Sequence, residues 1–371
     1  MKLLIEKNIL LESLTNVMRA ISPKNIIPIL NGVMFDLREE GLYLTASDSD
    51  LTIRNFIPKE KIKNIAIPGK IVIQSKYLLE IIRKLPNGDI NIEVIDGLKI
   101  IISTDKTIYN LNCLDTADYP DINLEEVENP IVINSTTLKQ AFNKTLFAVS
   151  TQESRPILTG INLKINGNVM ECVATDSYRL AKKTITLDNA YDSRDIVIPG
   201  KNINELDKLI TEESDVEIHV FNNKIVFKYM NYIFQSSLLS GSYPNTNNLI
   251  PTKFEFVITT SLNDYYNAID RAALLTQNKD KNIIKMETNN TELLISSYAS
   301  EIGKSEESIL INKSNDQDIS ISFSSKYMID ALKTFEDEEL IIFLNNDSSP
   351  IILKSAKDET LIQLILPIKT Y

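Results

Sequence analysis

Ala174-Thr175-Asp176-Ser177 repeats Ala46-Ser47-Asp48-Ser49 at a distance of 128 residues. The same offset relates Ala148-Val149-Ser150 to Ala20-Ile21-Ser22, Pro156-Ile157-Leu158 to Pro28-Ile29-Leu30, and Gly160-Ile161 to Gly32-Val33. Four matches in one ungapped register mark an internal duplication. A second register brings in the rest of the chain. Leu78, Ile81, Ile82 and Leu85 carry helical spacing, and 250 residues later stand Met328, Ala331, Leu332 and Phe335. The middle copy falls near Ile203, Leu206 and Ile210, and Lys76, Lys201 and Lys326 are spaced by 125. The chain is thus one module of roughly 125 residues written three times, a length that suits a domain rather than a solenoid repeat. We place the modules at 1–127, 128–251 and 252–371.

Each module opens on a short strand, at Leu3 to Ile5, Ile131 to Ile133 and Phe256 to Ile258. A polar cap and an amphipathic helix follow. The apolar stripes are Leu10, Leu14, Val17, Met18 and Ile21; Leu138, Ala141, Phe142, Leu146 and Val149; and Leu262, Tyr265, Tyr266, Ile269 and Ala273. Short β-branched runs bounded by Asn, Asp and Gly come next, then a second helix and more strands. The spacing predicts helices at 10–20, 76–84, 136–148, 201–210, 262–275 and 326–334. The fold class is α+β, with two helices packed on antiparallel sheet in each copy. The stretches 121–130 and 244–251 read as joints, and Tyr119-Pro120 and Tyr243-Pro244 stand at matching places before them.

The 371 residues are 43% apolar, enough for three cores, and the formal charge is −11. Two cysteines, Cys113 and Cys172, fit neither a redox pair nor a zinc spacing and read as reduced core thiols. Glu6 and Lys7 interrupt the apolar start too early for a signal peptide, and no apolar run approaches the ~20 residues of a membrane span. A cytoplasmic protein is expected.

The chemistry for catalysis is sparse. A metal or triad site would have to be built on the single histidine, His219, which lies in an alternating strand. Pro68-Gly69-Lys70 and Pro199-Gly200-Lys201 lack the rest of a phosphate loop and read as turns. Asp48 and Asp50 could pair as acids, but Asp48 repeats as Asp176, which points to a shared turn. No cofactor and no metal are expected. The six helices carry eleven basic and seven acidic side chains, a surplus of four positive charges that leaves −15 on the remainder. Mildly basic helices on an acidic protein fit two readings equally: ordinary helix-surface composition, or helices that face a polyanion while the outside repels it.

These residues carry a resemblance. Arg155-Pro156-Ile157-Leu158, Ala174 to Ala181 (Ala-Thr-Asp-Ser-Tyr-Arg-Leu-Ala), Ser325-Lys326-Tyr327-Met328 and the stretch Gln363-Leu364-Ile365-Leu366-Pro367-Ile368-Lys369 resemble the bacterial DNA polymerase III β subunits, the replicative sliding clamps, low-GC Gram-positive members above all. The likeness runs over the whole chain. It implies three tandem clamp domains, and two chains closed head to tail into a six-domain ring with helices lining the hole. The ring would encircle duplex DNA and tether the replicative polymerase, without catalysis of its own. By position it implies a pocket for partner peptides bearing Gln and a Leu-Phe pair, formed by Arg155, Leu158, Thr175, Tyr178, Arg179, Leu180, Pro244, Leu249, Leu364, Leu366, Pro367 and Ile368, with Asn248 at the edge. Tyr178 stands where histidine is common in the family, and Asn248 where some members carry arginine. Lys24 and Gln152 match DNA-touching loop positions. Lys76, Lys139, Lys201 and Lys326 are the helix-borne DNA candidates. Leu274 and Leu275 are expected against Tyr109 and Leu111 of a second copy, with Glu306 and Glu307 facing Lys99 and Lys106. Polymerase, clamp loader and mismatch-repair proteins are the expected partners, and the cytoplasmic nucleoid is the place. An enzyme using Asp48, Asp50 or Asp176, or a three-module scaffold that binds protein but not DNA, are the competing readings.

Overall fold

The computed structural model describes residues 1–22, 25, 27–96, 98–276 and 282–369. The six α-helices among the described residues are α1 (Lys7–Val17), α2 (Ser75–Lys84), α3 (Ser135–Leu146), α4 (Gly200–Leu209), α5 (Leu262–Ala273) and α6 (Ser325–Leu332). Each lies within three residues of its expected start and end. The first stripe is shorter than its spacing suggests. Leu10, Leu14 and Val17 are buried, but the α-helix stops at Val17 and a 3₁₀ turn, Met18–Ala20, follows. The change of pitch turns Met18 and Ile21 half out and buries Ala20 instead. Caps form where the sequence offers them. Asn134 Oδ1 accepts from the backbone N–H of Thr136 at 2.9 Å, and Ser261 Oγ from that of Asp264 at 3.2 Å.

The chain divides into two compact units, Met1–Thr137 with Asn204–Leu238, and Leu138–Ile203 with Leu239–Tyr371. Among the described residues the first unit holds one 13-stranded sheet. The second holds a seven-stranded and a four-stranded sheet. Every strand pair is antiparallel, as the hairpin-rich sequence requires. The central copy contributes to both units because its sheets run on into those of its neighbours. Tyr232–Ser237 pairs with Leu51–Pro58, with Phe234 opposite Ile53. Arg179–Pro199 pairs with Leu361–Ile365, with Leu180 opposite Leu364. A ladder that crosses a joint leaves no bare sheet edge there. The strands of that copy are also longer than expected: Gly160–Thr175 and Arg179–Pro199 form one bent hairpin whose register shifts near Gly167.

The Pro-Gly-Lys segments are not turns. Gly69 opens the strand Gly69–Gln74, and Gly200 opens α4. A β-carbon on Gly200 would lie 2.9 Å from the Thr159 carbonyl, so close approach, not phosphate binding, accounts for that glycine. His219 is 1% exposed and structural: its Nδ1 accepts from the Val127 N–H at 3.0 Å. Both cysteines are buried, and burial pushes the Cys113 thiol up to about 11 and the Cys172 thiol to about 12.

In the second unit the central and C-terminal copies share an ion cluster. Lys183 Nζ lies 2.7 Å from both oxygens of Asp358, and Lys144 Nζ lies 3.4 Å from Asp358 and 3.5 Å from Glu336. Burial alone would raise the Asp358 pKa. Hydrogen bonds from Lys183 and Thr360, with the charges of Lys183 and Lys144, outweigh it and hold it at about 2. A depressed carboxylate contributes stability that is complete above its ordinary value, 3.8, and fades as pH falls toward about 2. Asp358→Asn should therefore lower the urea midpoint at pH 6, and the gap from wild type should close below pH 3. A gap that stays constant down to pH 2.5 would show that the pair is not linked to folding.

Candidate functional site

The turn that the repeat singled out is the first element of the site. Asp176 Oδ1 accepts the N–H groups of Tyr178 and Arg179, each at 3.0 Å, and Ser177 sits at φ 77°. Asp48 does the same for Asp50 and Leu51, at 3.1 and 2.8 Å, with Ser49 at φ 78°. The two aspartates are thus turn-formers. Among the described residues no cluster of three or more His, Cys, Asp or Glu could hold a metal ion.

Below this turn Val173, Leu180, Ile352 and Leu364 form a small buried cluster, with Tyr243, Ile250, Phe254, Phe343 and Ile362 packed on it. The residues beside it come to the surface. Tyr178 is 57% exposed, Leu249 50% and Leu366 38%. The Leu366 N–H donates to the Tyr178 carbonyl at 2.9 Å, and the Ile368 N–H to the Ser322 carbonyl at 2.7 Å. The segment 366–368 therefore crosses from the hairpin turn to the strand Ser320–Ser324. Pro367 and Ile368 are half-buried; Pro244 and Asn248 are exposed on the preceding joint. Leu158 is buried and its carbonyl accepts from the Ser150 N–H at 2.8 Å. The result is an apolar surface with exposed leucines and a tyrosine, of the kind that takes short apolar peptides.

The polar residues divide into free and committed. Arg155 is exposed, with one contact to Ser177 Oγ at 3.4 Å. Thr175 is committed: its hydroxyl donates to the Arg179 carbonyl at 2.6 Å and its N–H to Tyr243 Oη at 3.1 Å. Arg179 is committed more deeply, to Asp176 and Asp330. Tyr243, Tyr327 and Asp330 also contribute, though none is among the expected site residues. For Tyr243 a signal existed. Its repeat mate Tyr119 also binds strand backbone, donating to the Thr45 carbonyl in Gly41–Ser47, 3.4 Å away.

Lys76, Lys201 and Lys326 each occupy the second residue of their helix and are exposed. A cation at a helix N-terminus opposes the helix dipole, so helix stability does not account for lysine there in three copies. Lys139 is half-buried on α3, and Gln152 is exposed. Lys24 lies outside the described residues. The observed helix limits carry ten basic and seven acidic side chains; Lys7 is among the ten but buried.

Among the described residues, Ile108–Leu114 and Gly303–Leu310 are two of the strands that present an unpaired edge. Ile108–Leu114 pairs along one side with Lys99–Ser103, but on the other only at Cys113 and Leu114. It carries half-buried Tyr109 and Leu111 and exposed Ile108. Gly303–Leu310 is an end strand of the four-stranded sheet. Near it Leu274 is 64% exposed, Leu275 is half-buried, and Tyr298, Ile302 and Leu310 are exposed. Glu306 and Glu307 differ from expectation in that both have partners within the chain. Glu306 pairs with Lys304, and Glu307 takes a bidentate hold from Arg271 at 2.8 and 2.5 Å, which keeps its carboxyl below the usual range. Lys99 or Lys106 of a second copy would have to compete with these.

Three family models match: the DNA polymerase III beta subunit N-terminal domain over residues 1–124, the central domain over 132–245, and the C-terminal domain over 247–369. The beta sliding clamp of Bacillus subtilis (strain 168) is 40% identical over 378 residues, with 100% of both chains covered. That of Staphylococcus aureus (strain Mu50 / ATCC 700699) is 36% identical over 376 residues, again covering 100% of each. The crystal structure of the DNA polymerase sliding clamp from Bacillus subtilis superposes with a TM-score of 0.97 at 40% identity, over 100% of both chains. No helix among the described residues is long and apolar enough to cross a membrane.

Proposed function

The chain belongs to the DNA polymerase III beta subunit family, the sliding clamps, which are processivity factors and not catalysts, and on that premise we propose how its parts divide the work. Two copies close head to tail, the edge Ile108–Leu114 of one meeting the edge Gly303–Leu310 of the other. The domain borders fall at 127/128 and 251/252. The ring encircles duplex DNA and holds the replicative polymerase to it. The observation that carries this reading is the end-to-end match, three domain models in tandem and complete mutual coverage with the relatives. A clamp held by topology needs only weak, sequence-blind phosphate contacts. A few lysines on otherwise acidic protein meet that need, and the cytoplasmic nucleoid is where such a protein works.

The test is retention. Loaded onto nicked circular DNA the protein should stay through gel filtration, and linearising the circle should release it. Release from both would favour a scaffold without DNA. Neutralising Lys76, Lys201 or Lys326 should weaken DNA binding about equally on any sequence. It should also lower the slope of log K against log salt by about 0.9 for each phosphate that is no longer neutralised. A variant with altered sequence preference would contradict this. Lys24, Lys139 and Gln152 are proposed as further DNA-touching residues.

The apolar surface around Leu180, Leu249, Leu364 and Leu366 serves as the dock for partner peptides with a Leu-Phe pair. Leu158, Pro244, Pro367 and Ile368 line it, Arg155 and Asn248 supply polar contacts at the rim, and Thr175 and Arg179 support the wall. Polymerase, clamp loader and mismatch-repair proteins would compete for it.

A further inference from the structure

We propose that Asp330, on α6, is a positioning residue for the peptide dock and acts on it through Arg179. The inference rests on the peptide reading above. Arg179 follows directly on the Asp176-Ser177-Tyr178 turn and is 9% exposed. Its Nε donates to Asp176 Oδ2 at 3.0 Å and its Nη1 to Asp330 Oδ2 at 2.7 Å. Its guanidinium lies 4.6 Å from the ring centre of Tyr327 and 5.2 Å from that of Phe147. A buried guanidinium gripped by two carboxylates and two rings is a strut: reaching out to a ligand would mean dropping one of these charge-assisted bonds.

What the strut holds is the wall of the dock. The Arg179 carbonyl accepts from Thr175 Oγ1 and its N–H is accepted by Asp176, so the turn moves with it. Tyr178, the exposed residue of that turn, stacks on Tyr327 with ring centres 6.3 Å apart. The Tyr178 carbonyl in turn anchors the Leu366 N–H. Asp330 thus fixes the guanidinium over Tyr327, and Tyr327 backs the aromatic face beside which a peptide would lie. The side-chain bond that Asp330 makes is to Arg179, behind the exposed dock residues. Removing its charge leaves Arg179 with Asp176 as its one carboxylate partner and loosens the stack that sets Tyr178. Asp330 also stands one helical turn from Lys326, so the helix that carries a candidate DNA-binding lysine also braces the dock.

The experiment uses the full chain and a fluorescein-labelled Gln-Leu-Ser-Leu-Phe peptide, read by anisotropy. Asp330→Asn should weaken binding by roughly 5- to 50-fold, while the oligomer mass stays that of wild type. Asp330→Glu, which keeps the charge, should restore most of the affinity. Arg179→Lys should weaken binding to a similar degree, and adding Asp330→Asn to it should cost little more, since both act on one contact. Wild-type affinity in Asp330→Asn, or losses that multiply in the double variant, would overturn the inference. Should Asp330→Asn fail to fold, Asp330→Ser measured singly and with Arg179→Lys gives the same cycle. Leu366→Ala separates the two readings. If it weakens binding while Asp330→Asn does not, the dock stands and the strut falls. If wild type does not bind the peptide, both fall.

Discussion

Removal of residues 367–371 is expected to abolish peptide binding while leaving an oligomer that still stays on circular DNA. The reason lies in what the segment does and does not hold. The ladder between residues 179–183 and Leu361–Ile365 ends before it, so the sheet that joins the central and C-terminal copies survives. The ion cluster around Asp358 survives too. What disappears is the crossing from the Tyr178 turn to Ser322, with half-buried Pro367 and Ile368 and the tether of Ile368 N–H. Leu366, left as the last residue, keeps its bond to the Tyr178 carbonyl but loses the chain that holds it from the other side. A dock that relies on a few apolar anchors loses most of its affinity when one wall goes, and a fall of at least about 100-fold is expected. Anisotropy with the labelled peptide measures it, and gel filtration with nicked circular DNA checks the ring. Unchanged peptide affinity would remove this surface from the account.

The double substitution Leu274→Ala with Leu275→Ala should give folded monomers. Leu274 is largely exposed and Leu275 half-buried, so truncating them leaves no deep cavity in the domain. In a closed head-to-tail dimer each would be covered twice, once per interface. Burying a leucine contributes ~1.5–3 kcal/mol. Losing two per interface should raise the dissociation constant by more than about a thousandfold. Rim ion pairs contribute only ~0–1 kcal/mol each, and Glu306 and Glu307 are already engaged by Lys304 and Arg271. Charge reversal at Glu306 should therefore matter far less than the leucines. Sedimentation at nanomolar concentration decides it: a variant that stays dimeric puts the interface elsewhere. Monomers should also leave nicked circles as readily as linear DNA.

Much of this was legible in the chain because it depends on local pattern. Helical period placed α1 through α6 within three residues, since burying one face of a helix demands apolar residues every third or fourth position. The fixed offset of the repeats set the number of modules. Asp48 and Asp176 were recognisable as turn-formers because an aspartate side chain accepts from its own backbone two and three residues on, a bond made within four residues of sequence.

Other features were settled only by the folded chain. That Tyr232–Ser237 joins Leu51–Pro58, and that residues 179–183 join Leu361–Ile365, is written in no local period. Sheet ladders are made by backbone groups that every residue carries, so which strand meets which is decided by the packing of whole modules. Arg179 makes the same point at one side chain. The resemblance to the clamp family made it a candidate for the dock. Whether its guanidinium faced a ligand or the protein depended on Asp330, 151 residues away, and on the rings of Phe147 and Tyr327. By itself the sequence determined the module, its number and the two aspartate turns. The tertiary structure decided which edges continue and which charges are spent, because those depend on partners that come together only when the chain has folded.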